Sequence, residues 1–257
     1  MRRRLPAREE LDEIYAPEYF AYRAGDPVDG YADYLGDTER HREAARRRLS
    51  LIERFTASRG RLLDVGTAAG FFVDEAIRAG WAAEGIDVAS HIVEWGQREL
   101  GVPLRVGELA AVEGPETFAA VTMWDYIEHS LDPVGELAKS NELLARGGIL
   151  ALSTGDRDSA VARLFQSRWH LLTPRHHNFF FSARTLERLL ERSGFDVAWQ
   201  GHPGARYSLA HLAYKSAPAA MAKRITASRL GRLSLPVNLF DIVTVVARRV
   251  RQPARAR

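Results

Sequence analysis

Asp64, Gly66 and Gly70 stand where the sequence changes from a strand pattern to a helix pattern. The apolar run 61–65 predicts a buried strand, and Phe71 opens a predicted helix directly after Gly70. Folds that bind nucleotides hold their ligand at such a glycine-containing turn. The first chemistry to consider at this turn is therefore the binding of an adenosine-containing ligand.

Asp87 and Ala68 narrow the identity of that ligand. Asp87 ends the second predicted strand, about twenty residues beyond the turn, where a carboxylate can accept hydrogen bonds from both ribose hydroxyls. Ala68 stands where a dinucleotide fingerprint has its middle glycine, and Asp64 would repel a pyrophosphate at the helix N-terminus. S-adenosylmethionine has no phosphate, and its ammonium group suits a neighbouring acid. The turn thus favours this sulfonium ligand over a dinucleotide.

Strands and helices alternate on both sides of the turn. Gly80, Gly101 and Gly147–Gly148 stand where helices should stop, and Asp132 before Pro133 should cap a helix. Predicted strands cover 61–65, 82–87, 103–106, 119–124, 148–153, 195–201 and 238–249, and predicted helices cover 38–58, 69–79, 89–99, 132–145 and 182–194. The alternation predicts an α/β fold with a doubly wound, seven-stranded, mostly parallel sheet.

Composition divides the chain into regions. We expect an N-terminal arm and helix over the site (1–48), a Rossmann-like cofactor-binding core (49–155), a lid insert (156–181), a C-terminal part of the core (182–250) that carries an alanine-rich helical insert (205–232), and a disordered tail (251–257). Six aromatic residues between positions 15 and 34 indicate that the arm packs on the core.

Charge and cysteine content limit the remaining possibilities. The 257 residues include no cysteine, so disulfides and thiolate chemistry are excluded, and no signal peptide or spanning segment is evident, which predicts a cytoplasmic protein. Nine Lys and Arg stand against one acid from Met221 to Arg257. This basic C-terminus indicates an anionic acceptor or contact with a membrane surface, and a solvated tail is the plainer alternative.

Four segments, in order, resemble the motifs of class I S-adenosylmethionine-dependent methyltransferases. They are DVGTAAG (64–70), GIDVAS (85–90), WDYIEHSLDP (124–133) and LLARGGILALST (143–154). Within that superfamily the chain is most similar to the ubiquinone-biosynthesis-like branch, whose likeness extends to RWHLLTPRHHNFFFSARTLERLLERSGF (168–195) and the aromatic arm. The departure from the family pattern is Ala68, which replaces the middle glycine of the first motif.

The resemblance implies S-adenosyl-L-methionine as cofactor and assigns residues to it. Gly66, Thr67, Ala68 and Gly70 would line its methionine part, and Asp64 would lie near its ammonium. Asp87 would bind the ribose, and Val88, Glu108 and Leu109 would surround the adenine. Trp124 and Asp125 would form the floor of the site at the end of the fourth strand. A solvated loop acid is the alternative interpretation of Glu108.

His129 is the first candidate for a general base, because imidazole titrates in the useful range and the residue follows the fourth strand. A structural histidine that orders the loop is the alternative. Asp125, Glu128 and His129 also form a D-x-x-E-H cluster of metal-ligand types, but no second group of ligands accompanies it, and we predict no metal. The histidine spacing of the insert is likewise a weak zinc pattern.

The insert 156–181 and the arm supply candidate acceptor contacts. We expect His176 to take part in catalysis or to orient the acceptor, Trp169 to anchor the lid, and His170 and Phe179 to contact the acceptor. The tyrosines of the arm would close over the site: Tyr19, Tyr22, Tyr31 and Tyr34. Packing in the core is the alternative for these aromatic residues.

The expected activity is methyl transfer to an oxygen of a small-molecule or lipid- or sugar-linked acceptor. Transfer to carbon or nitrogen, for instance of a nucleotide-linked sugar or natural product, is the alternative. From other classes, a nicotinamide-dependent oxidoreductase and a non-catalytic cofactor-binding protein remain open, although lysine is nearly absent from 1–200 where the former would need a Tyr–Lys pair. We do not expect a nucleic-acid substrate, since the basic residues lie in a tail and no N-P-P-Y-type segment follows the fourth strand.

Overall fold

Nine strands form the frame of the molecule, whose structure is a computed structural model that describes residues 5–6, 10–20, 34–209, 213, 219–226 and 228–250. The strands are β1 (Arg61–Val65), β2 (Ala82–Asp87), β3 (Leu104–Val106), β4 (Phe118–Trp124), β5 (Leu144–Gly155), β6 (Phe195–Gly201), β7 (Ala205–Ser208), β8 (Ser234–Val237) and β9 (Ile242–Arg249). Seven of them form one sheet in the order β3-β2-β1-β4-β5-β9-β6, and β7 pairs with β8 in a separate sheet. Only β9 runs antiparallel to its neighbours in the large sheet. The predicted α/β fold with a mostly parallel seven-stranded sheet is confirmed.

Helices cover both faces of this sheet. They are α1 (Glu10–Ile14), α2 (Pro17–Phe20), α3 (Thr38–Ile52), α4 (Phe71–Arg78), α5 (Ser90–Leu100), α6 (Pro133–Leu143), α7 (Ala160–Phe165), α8 (Ala183–Arg192) and α9 (Ala219–Thr226). Apolar residues of α3, α4 and α5 bury one face of the sheet, and those of α6 and α8 bury the other. Burial on both faces explains why β1 and β4 are nearly continuous apolar runs.

Most predicted elements agree with the structure within a few residues, and the predicted cap at Asp132 forms. The Asp132 side chain accepts a hydrogen bond from the Gly135 N–H, and at the start of α8 the Ser182 side chain likewise accepts one from the Thr185 N–H. Two predictions of length were wrong. The helix expected over 38–58 ends at Ile52, and β5 begins at Leu144, so Gly147–Gly148 lies at an irregularity within the strand and does not end a helix.

The expected helical insert 205–232 was wrong at its start. Residues 205–208 form β7, which pairs antiparallel with β8, and among the described residues that follow β7 helix is found at 209, 213 and 219–226. The alanine-rich composition of this region favours a helix locally. The strand that pairs with β7 lies about thirty residues further along the chain, so local composition does not reveal it. That strand, β8, contains Pro236, which is tolerated only at a sheet edge. The expected boundary after residue 48 falls inside α3, and the division of the chain into domains stays a prediction.

The N-terminal arm packs on the core wherever it is described. Phe20 and Tyr34 join Ala69 and Phe71 in a buried cluster beside the glycine turn. Tyr22 and Tyr31 and the tail 251–257 lie outside the described residues, so predictions about them stay predictions. None of the described helices is both long and apolar enough to cross a membrane.

Candidate active site

A cavity of about 550 Å³ opens at the carboxyl ends of β1, β2 and β4. In doubly wound folds this edge is where ligands bind, because the strand order changes direction there. The turn after β1 forms its floor, the segment 124–136 forms one wall, and α3 and the aromatic arm close the opposite side. The expectation that both the arm and the turn contribute to one site agrees with this geometry.

The glycine turn takes the conformation that its sequence predicts. Gly66, Ala68 and Gly70 have φ values of 73°, 48° and 80°, in the left-handed region that favours glycine. A β-carbon on Gly66 would lie 2.5 Å from the ring of Tyr126, so glycine is needed there for close approach as well. Ala68 adopts the same region at a cost, held by a hydrogen bond of 2.8 Å from its N–H to Asp87.

Gly70 lies just behind the cavity lining. It stands at the N-terminus of α4, and a β-carbon there would lie about 3 Å from side-chain atoms of Leu104 and Val102. It is buried and does not line the cavity, whereas Gly66, Thr67 and Ala68 do. The missing side chain of Gly70 therefore lets the turn pack closely against Val102 and Leu104, and its contact with a cofactor stays a prediction.

Asp64 lies at the bottom of the cavity with little exposure. Its Oδ1 accepts a hydrogen bond of 2.6 Å from the Thr122 hydroxyl of the neighbouring strand β4. Burial raises the pKa of Asp64 to about 7, and the Thr122 hydrogen bond and the positive charge of Arg48 only partly oppose this shift. A buried carboxyl poised near neutral pH is well suited to receive a cation, because a positive charge beside it would stabilise its ionised form.

Asp87 joins two walls of the cavity. Its Oδ2 accepts from the Ala68 N–H at 2.8 Å, and its Oδ1 accepts from the Ala89 N–H at 2.9 Å. Burial raises its pKa, and these two backbone hydrogen bonds oppose that shift. Each carboxylate oxygen keeps further acceptor capacity, so ribose hydroxyls can bind where Asp87 and the adjacent Val88 line the cavity.

The adenine end of the cavity is formed by the predicted Glu108 and Leu109 together with residues that the sequence reasoning did not select. Leu109 is fully buried, and Glu108 lines the cavity. Tyr126 and Glu136 are hydrogen-bonded to each other, and both line the cavity. Burial raises the pKa of Glu136 to about 7, with the charges of Glu108 and Asp132 adding to the shift.

Arg48 is the main functional residue that sequence reasoning missed. Its guanidinium lies 4.7 Å from the ring centroid of Trp124 and 2.9 Å from Asp125 Oδ2, so it links α3 to the predicted floor of the site. The Ser153 hydroxyl donates to the other Asp125 oxygen at 2.8 Å. A signal was present in the sequence: Arg48 is three residues from Ala45 and four from Ile52, both on the buried face of α3.

His129 lies in the cavity wall and contacts both the arm and the lid. Its Nδ1 is 3.1 Å from the Tyr15 hydroxyl, and the ring of His177 meets it edge-on at a centroid distance of 4.7 Å. Burial, followed by the neighbouring His177 and His176, lowers the pKa of His129 well below its usual value. The ring is therefore neutral at physiological pH and can accept a proton.

The lid is hydrogen-bonded to the segment that carries His129. Backbone N–H groups of Asn178 and Phe179 donate to the Glu128 carbonyl at 2.8 and 3.1 Å, and the Asn178 side chain donates to the His129 carbonyl at 2.8 Å. These contacts place the lid beside the acceptor end of the cavity.

Several predicted lid contacts lie elsewhere. Trp169 is buried under the end of β5 and donates to Asp241 at 2.9 Å, which fits its expected role as an anchor but not a contact with the acceptor. His170 lies 3.6 Å from Asp241, and Phe179 packs against the core and stacks on Phe181. His176 is buried, its ring lies 5.0 Å from that of Tyr19, and it does not line the cavity. Tyr19 and Tyr34 do line it.

Glu128, His129 and His177 bring three potential metal ligands together. Their ligand atoms lie within 4.8 Å of one another, and His177 from the lid supplies the partner that the sequence pattern lacked. However, His129 Nδ1 is hydrogen-bonded to Tyr15 and His177 Nδ1 to the Leu171 carbonyl. Burial and the charge of Asp125 raise the pKa of Glu128 to about 8, which keeps it protonated near neutral pH. The absence of a metal stays a prediction.

The sheet order, the glycine turn after β1 and the acid after β2 define a class I methyltransferase site. Residues 37–199 match the family described as "Methyltransferase domain", and because this match covers more than half of the chain, the protein belongs to that family. The chain thus carries a methyltransferase domain, as the sequence motifs predicted.

The similar proteins agree with this assignment. A ubiquinone biosynthesis O-methyltransferase of Caulobacter vibrioides is 30% identical over 163 residues, which cover 57% of this chain and 63% of that protein. One of Xanthomonas campestris is 33% identical over 111 residues, covering 40% and 46%. The crystal structure of magnesium protoporphyrin IX methyltransferase from Synechocystis with bound S-adenosylhomocysteine shares the fold, at 14% identity and a TM-score of 0.57 over 94% of both chains. The chain spans about half to two thirds of the length of the two curated relatives.

The residues present fit this cofactor. The turn lines the cavity at Gly66–Ala68, Asp64 can receive an ammonium, and Arg48 is a cation that can receive a carboxylate. Asp87 offers acceptors for the ribose, and no pyrophosphate-binding feature is required of Ala68. The donors and acceptors around the cavity therefore match the charges of S-adenosylmethionine.

Proposed function

We propose that the protein methylates a hydroxyl oxygen of a small-molecule or lipid- or sugar-linked acceptor, with His129 as the general base. The observation that carries the proposal is the hydrogen-bond contact of 3.1 Å between the Tyr15 hydroxyl and His129 Nδ1 inside the cavity. A phenolic hydroxyl already occupies a position from which an O–H group can give its proton to the imidazole. An acceptor hydroxyl in the same place would meet the same nitrogen.

The protein residues divide the work of holding the methyl donor. Arg48 would bind the carboxylate, Asp64 the ammonium and Asp87 the ribose, while Glu108 and Leu109 would bind the adenine. When bound, S-adenosylmethionine supplies an electrophilic methyl group attached to a sulfonium. The task left to the protein is to align the acceptor oxygen and to remove its proton.

His129 is suited to that second task. Burial lowers the pKa of His129 and so keeps Nδ1 unprotonated at neutral pH. A hydrogen bond with the His176 backbone acts in the opposite direction, because it favours the protonated ring. The proton leaves the acceptor oxygen for Nδ1 as the oxygen attacks, so no alkoxide has to form in advance. Because the acceptor nitrogen of the ring has one lone pair, Tyr15 orients the ring only until the acceptor hydroxyl takes its place at Nδ1.

The lining of the cavity favours an acceptor with an aromatic or anionic part. Tyr15, Tyr19 and Tyr34 form an aromatic wall, whereas Arg40 and Arg47 of α3 line the cavity on the same side as Arg48. The acids Asp64 and Asp87 lie at the sheet edge opposite to them. This separation of charge suits a cofactor cation at the sheet edge and an anionic group of the acceptor at α3. The curated relatives are named for an O-methyltransferase reaction, which agrees with transfer to oxygen.

A screen with labelled methyl donor tests the proposal. The purified protein is incubated with methyl-labelled S-adenosylmethionine and small-molecule and lipid extracts, and the products are resolved by mass spectrometry into O-, N- and C-methyl compounds. We expect a methyl ether or ester whose formation falls about 10²–10⁴-fold in His129→Ala, with S-adenosylhomocysteine affinity retained.

His202→Gln is the matched control, because His202 binds Asp156 at 3.1 Å outside the cavity. It should leave turnover unchanged. Methyl products on nitrogen or carbon would contradict transfer to oxygen. Full turnover by His129→Ala would make this histidine structural.

A further inference from the structure

We propose that the protein docks on an anionic lipid bilayer through a surface formed by α7 with its following turn (160–168) and by the segment 219–240. We call this the apolar–basic surface. Eight of the thirteen exposed large apolar residues in the described part of the chain lie in these two short segments. The proposal concerns where the enzyme works and does not depend on which atom of the acceptor is methylated.

The apolar residues of this surface are well exposed. Leu164 and Phe165 at the end of α7 are 78% and 52% exposed. The second segment contributes Met221, Leu230, Leu233, Leu235, Leu239 and Phe240, each at least 45% exposed. Single exposed apolar residues are ordinary, but a concentration of this kind marks a surface that another apolar phase covers.

The basic charge of the same two segments indicates that the apolar phase covering them is an anionic bilayer. Residues 160–168 contain two arginines, and 219–240 contain one lysine and three arginines, while neither segment contains an acid. Arg163, Arg168, Lys223 and Arg224 are exposed, and within the part of the chain that the structure describes none of them pairs with a carboxylate. Apolar side chains interleaved with unpaired bases fit the interface of a bilayer that carries anionic headgroups.

Hydrogen bonds join the two segments at their C-terminal ends. The Trp169 indole donates to the Asp241 carboxylate at 2.9 Å, and the Asp156 N–H donates to the Asp241 carbonyl at 2.7 Å. Trp169 directly follows the first segment and Asp241 directly follows the second. The next residue, Ile242, lines the cavity, so the apolar–basic surface lies beside the active site.

The backbone holds the exposed tips in place. Phe240 and Gln166, which follows Phe165, have φ values of 54° and 48°, in the left-handed region that bulky residues rarely adopt. The Asn238 side chain accepts from the Phe240 N–H at 2.9 Å and donates to the His202 carbonyl at 2.8 Å. Phe240 is thus presented by a hydrogen-bonded turn, although it is 63% exposed.

Co-sedimentation with vesicles tests the proposal. The full chain is mixed with vesicles of phosphatidylcholine alone, or of equal parts of phosphatidylcholine and phosphatidylglycerol, at ~0.05 M and ~0.5 M NaCl. We expect binding to the anionic vesicles, weakened by salt, and little binding to phosphatidylcholine alone. No preference for anionic vesicles at low salt would overturn the proposal.

Three double variants separate the two contributions. Lys223→Glu with Arg224→Glu should weaken partition to anionic vesicles by at least about thirtyfold, since the loss of two positive charges alone costs roughly fivefold each. Leu164→Ser with Phe165→Ser, and Leu239→Ser with Phe240→Ser, should each weaken it by about tenfold. All three should keep S-adenosylhomocysteine affinity, which shows that they fold.

Matched controls lie on other faces. Arg184→Glu with Arg188→Glu changes two exposed arginines of α8, and Val134→Ser removes an apolar side chain of α6 that is 59% exposed. Equal losses in the controls and the test variants would overturn the proposal. So would a wild-type dimer in solution that the Leu164 and Phe240 variants dissociate without any vesicle binding, because the surface would then join two copies of the chain.

Discussion

Replacing Asp64 with Asn should remove the pH dependence of cofactor binding. Asp64 is buried at the bottom of the cavity, its pKa is raised to about 7, and its Oδ1 accepts from Thr122 at 2.6 Å. Asn keeps an oxygen for that hydrogen bond but cannot carry charge. The variant therefore tests charge without removing the contact that holds the side chain.

The magnitude follows from the pKa of Asp64. At pH 6 only about one molecule in eleven has Asp64 ionised, and at pH 8 about ten in eleven. If the ammonium of the ligand binds the ionised form, affinity rises about tenfold between pH 6 and pH 8, with the release of up to one proton on binding. In Asp64→Asn the affinity should be weak at both pH values and nearly constant.

Calorimetry with S-adenosylhomocysteine measures this directly. Titrations at several pH values, each in two buffers of different ionisation enthalpy, give both the dissociation constant and the number of protons released. Glu136→Gln is the matched control, because the pKa of Glu136 is also raised to about 7 at the other end of the cavity. The reasoning is refuted if Asp64→Asn retains the wild-type pH dependence, and above all if Glu136→Gln abolishes it.

The same substitution should stabilise the protein without ligand. A folded-state pKa above the unfolded value means that Asp64 contributes stability below pH 4 and loses it as pH rises through 7. Three pKa units correspond to about 4 kcal/mol, so Asp64→Asn should raise the free energy of unfolding at pH 8 by up to that amount. Unfolding in urea at pH 5 and pH 8 checks the sign, since the gain should be smaller at pH 5.

Further predictions concern the turn, the base and the metal. Ala68→Gly should relieve the left-handed strain and raise Tm by roughly 2–4 °C, whereas Ala69→Gly, at a fully buried position, should lower it; a lower Tm for Ala68→Gly would contradict the assignment of strain. Tyr15→Phe removes a donor that favours neutral His129, so the acid limb of kcat/KM should move to higher pH by roughly half to one unit, and an unmoved profile would show that Tyr15 does not act on the base. Chelation with EDTA followed by gel filtration should leave activity unchanged, and loss restored by Mg²⁺ would identify a metal site at the ligand cluster around His129.

The cofactor end of the site could be predicted because its signals are local. The turn from β1 to α4 is set by residues within one stretch of seven, and the left-handed values at Gly66 and Gly70 follow from their identity. Asp87 is fixed at the end of its strand by the same alternation that predicts the strand. Even here the packing of Gly70 against Val102 and Leu104 was not foreseen, since a glycine can serve packing or ligand approach and the spacing does not distinguish the two.

The acceptor end could not be predicted to the same depth. Trp169, His170 and Phe179 carry side chains that suit an acceptor pocket, yet their nearest partners are Asp241 and Phe181. The composition of an aromatic segment indicates that the segment is ordered, but it does not show which residues the segment packs against. The hairpin of β7 and β8 was missed for the same reason, because its pairing depends on a partner strand far along the chain.

Most strands and helices, the glycine turn and the charges that suit the cofactor follow from the sequence alone, because they depend on near neighbours and on the period of apolar residues. Which distant groups meet follows only from the fold in three dimensions. It brings Arg48 to Asp125, 77 residues away, and Tyr15 to His129, 114 residues away. Such contacts depend on where the arm, α3 and the lid come to rest on the sheet edge. That placement is set by the summed packing of many side chains, which no short pattern records.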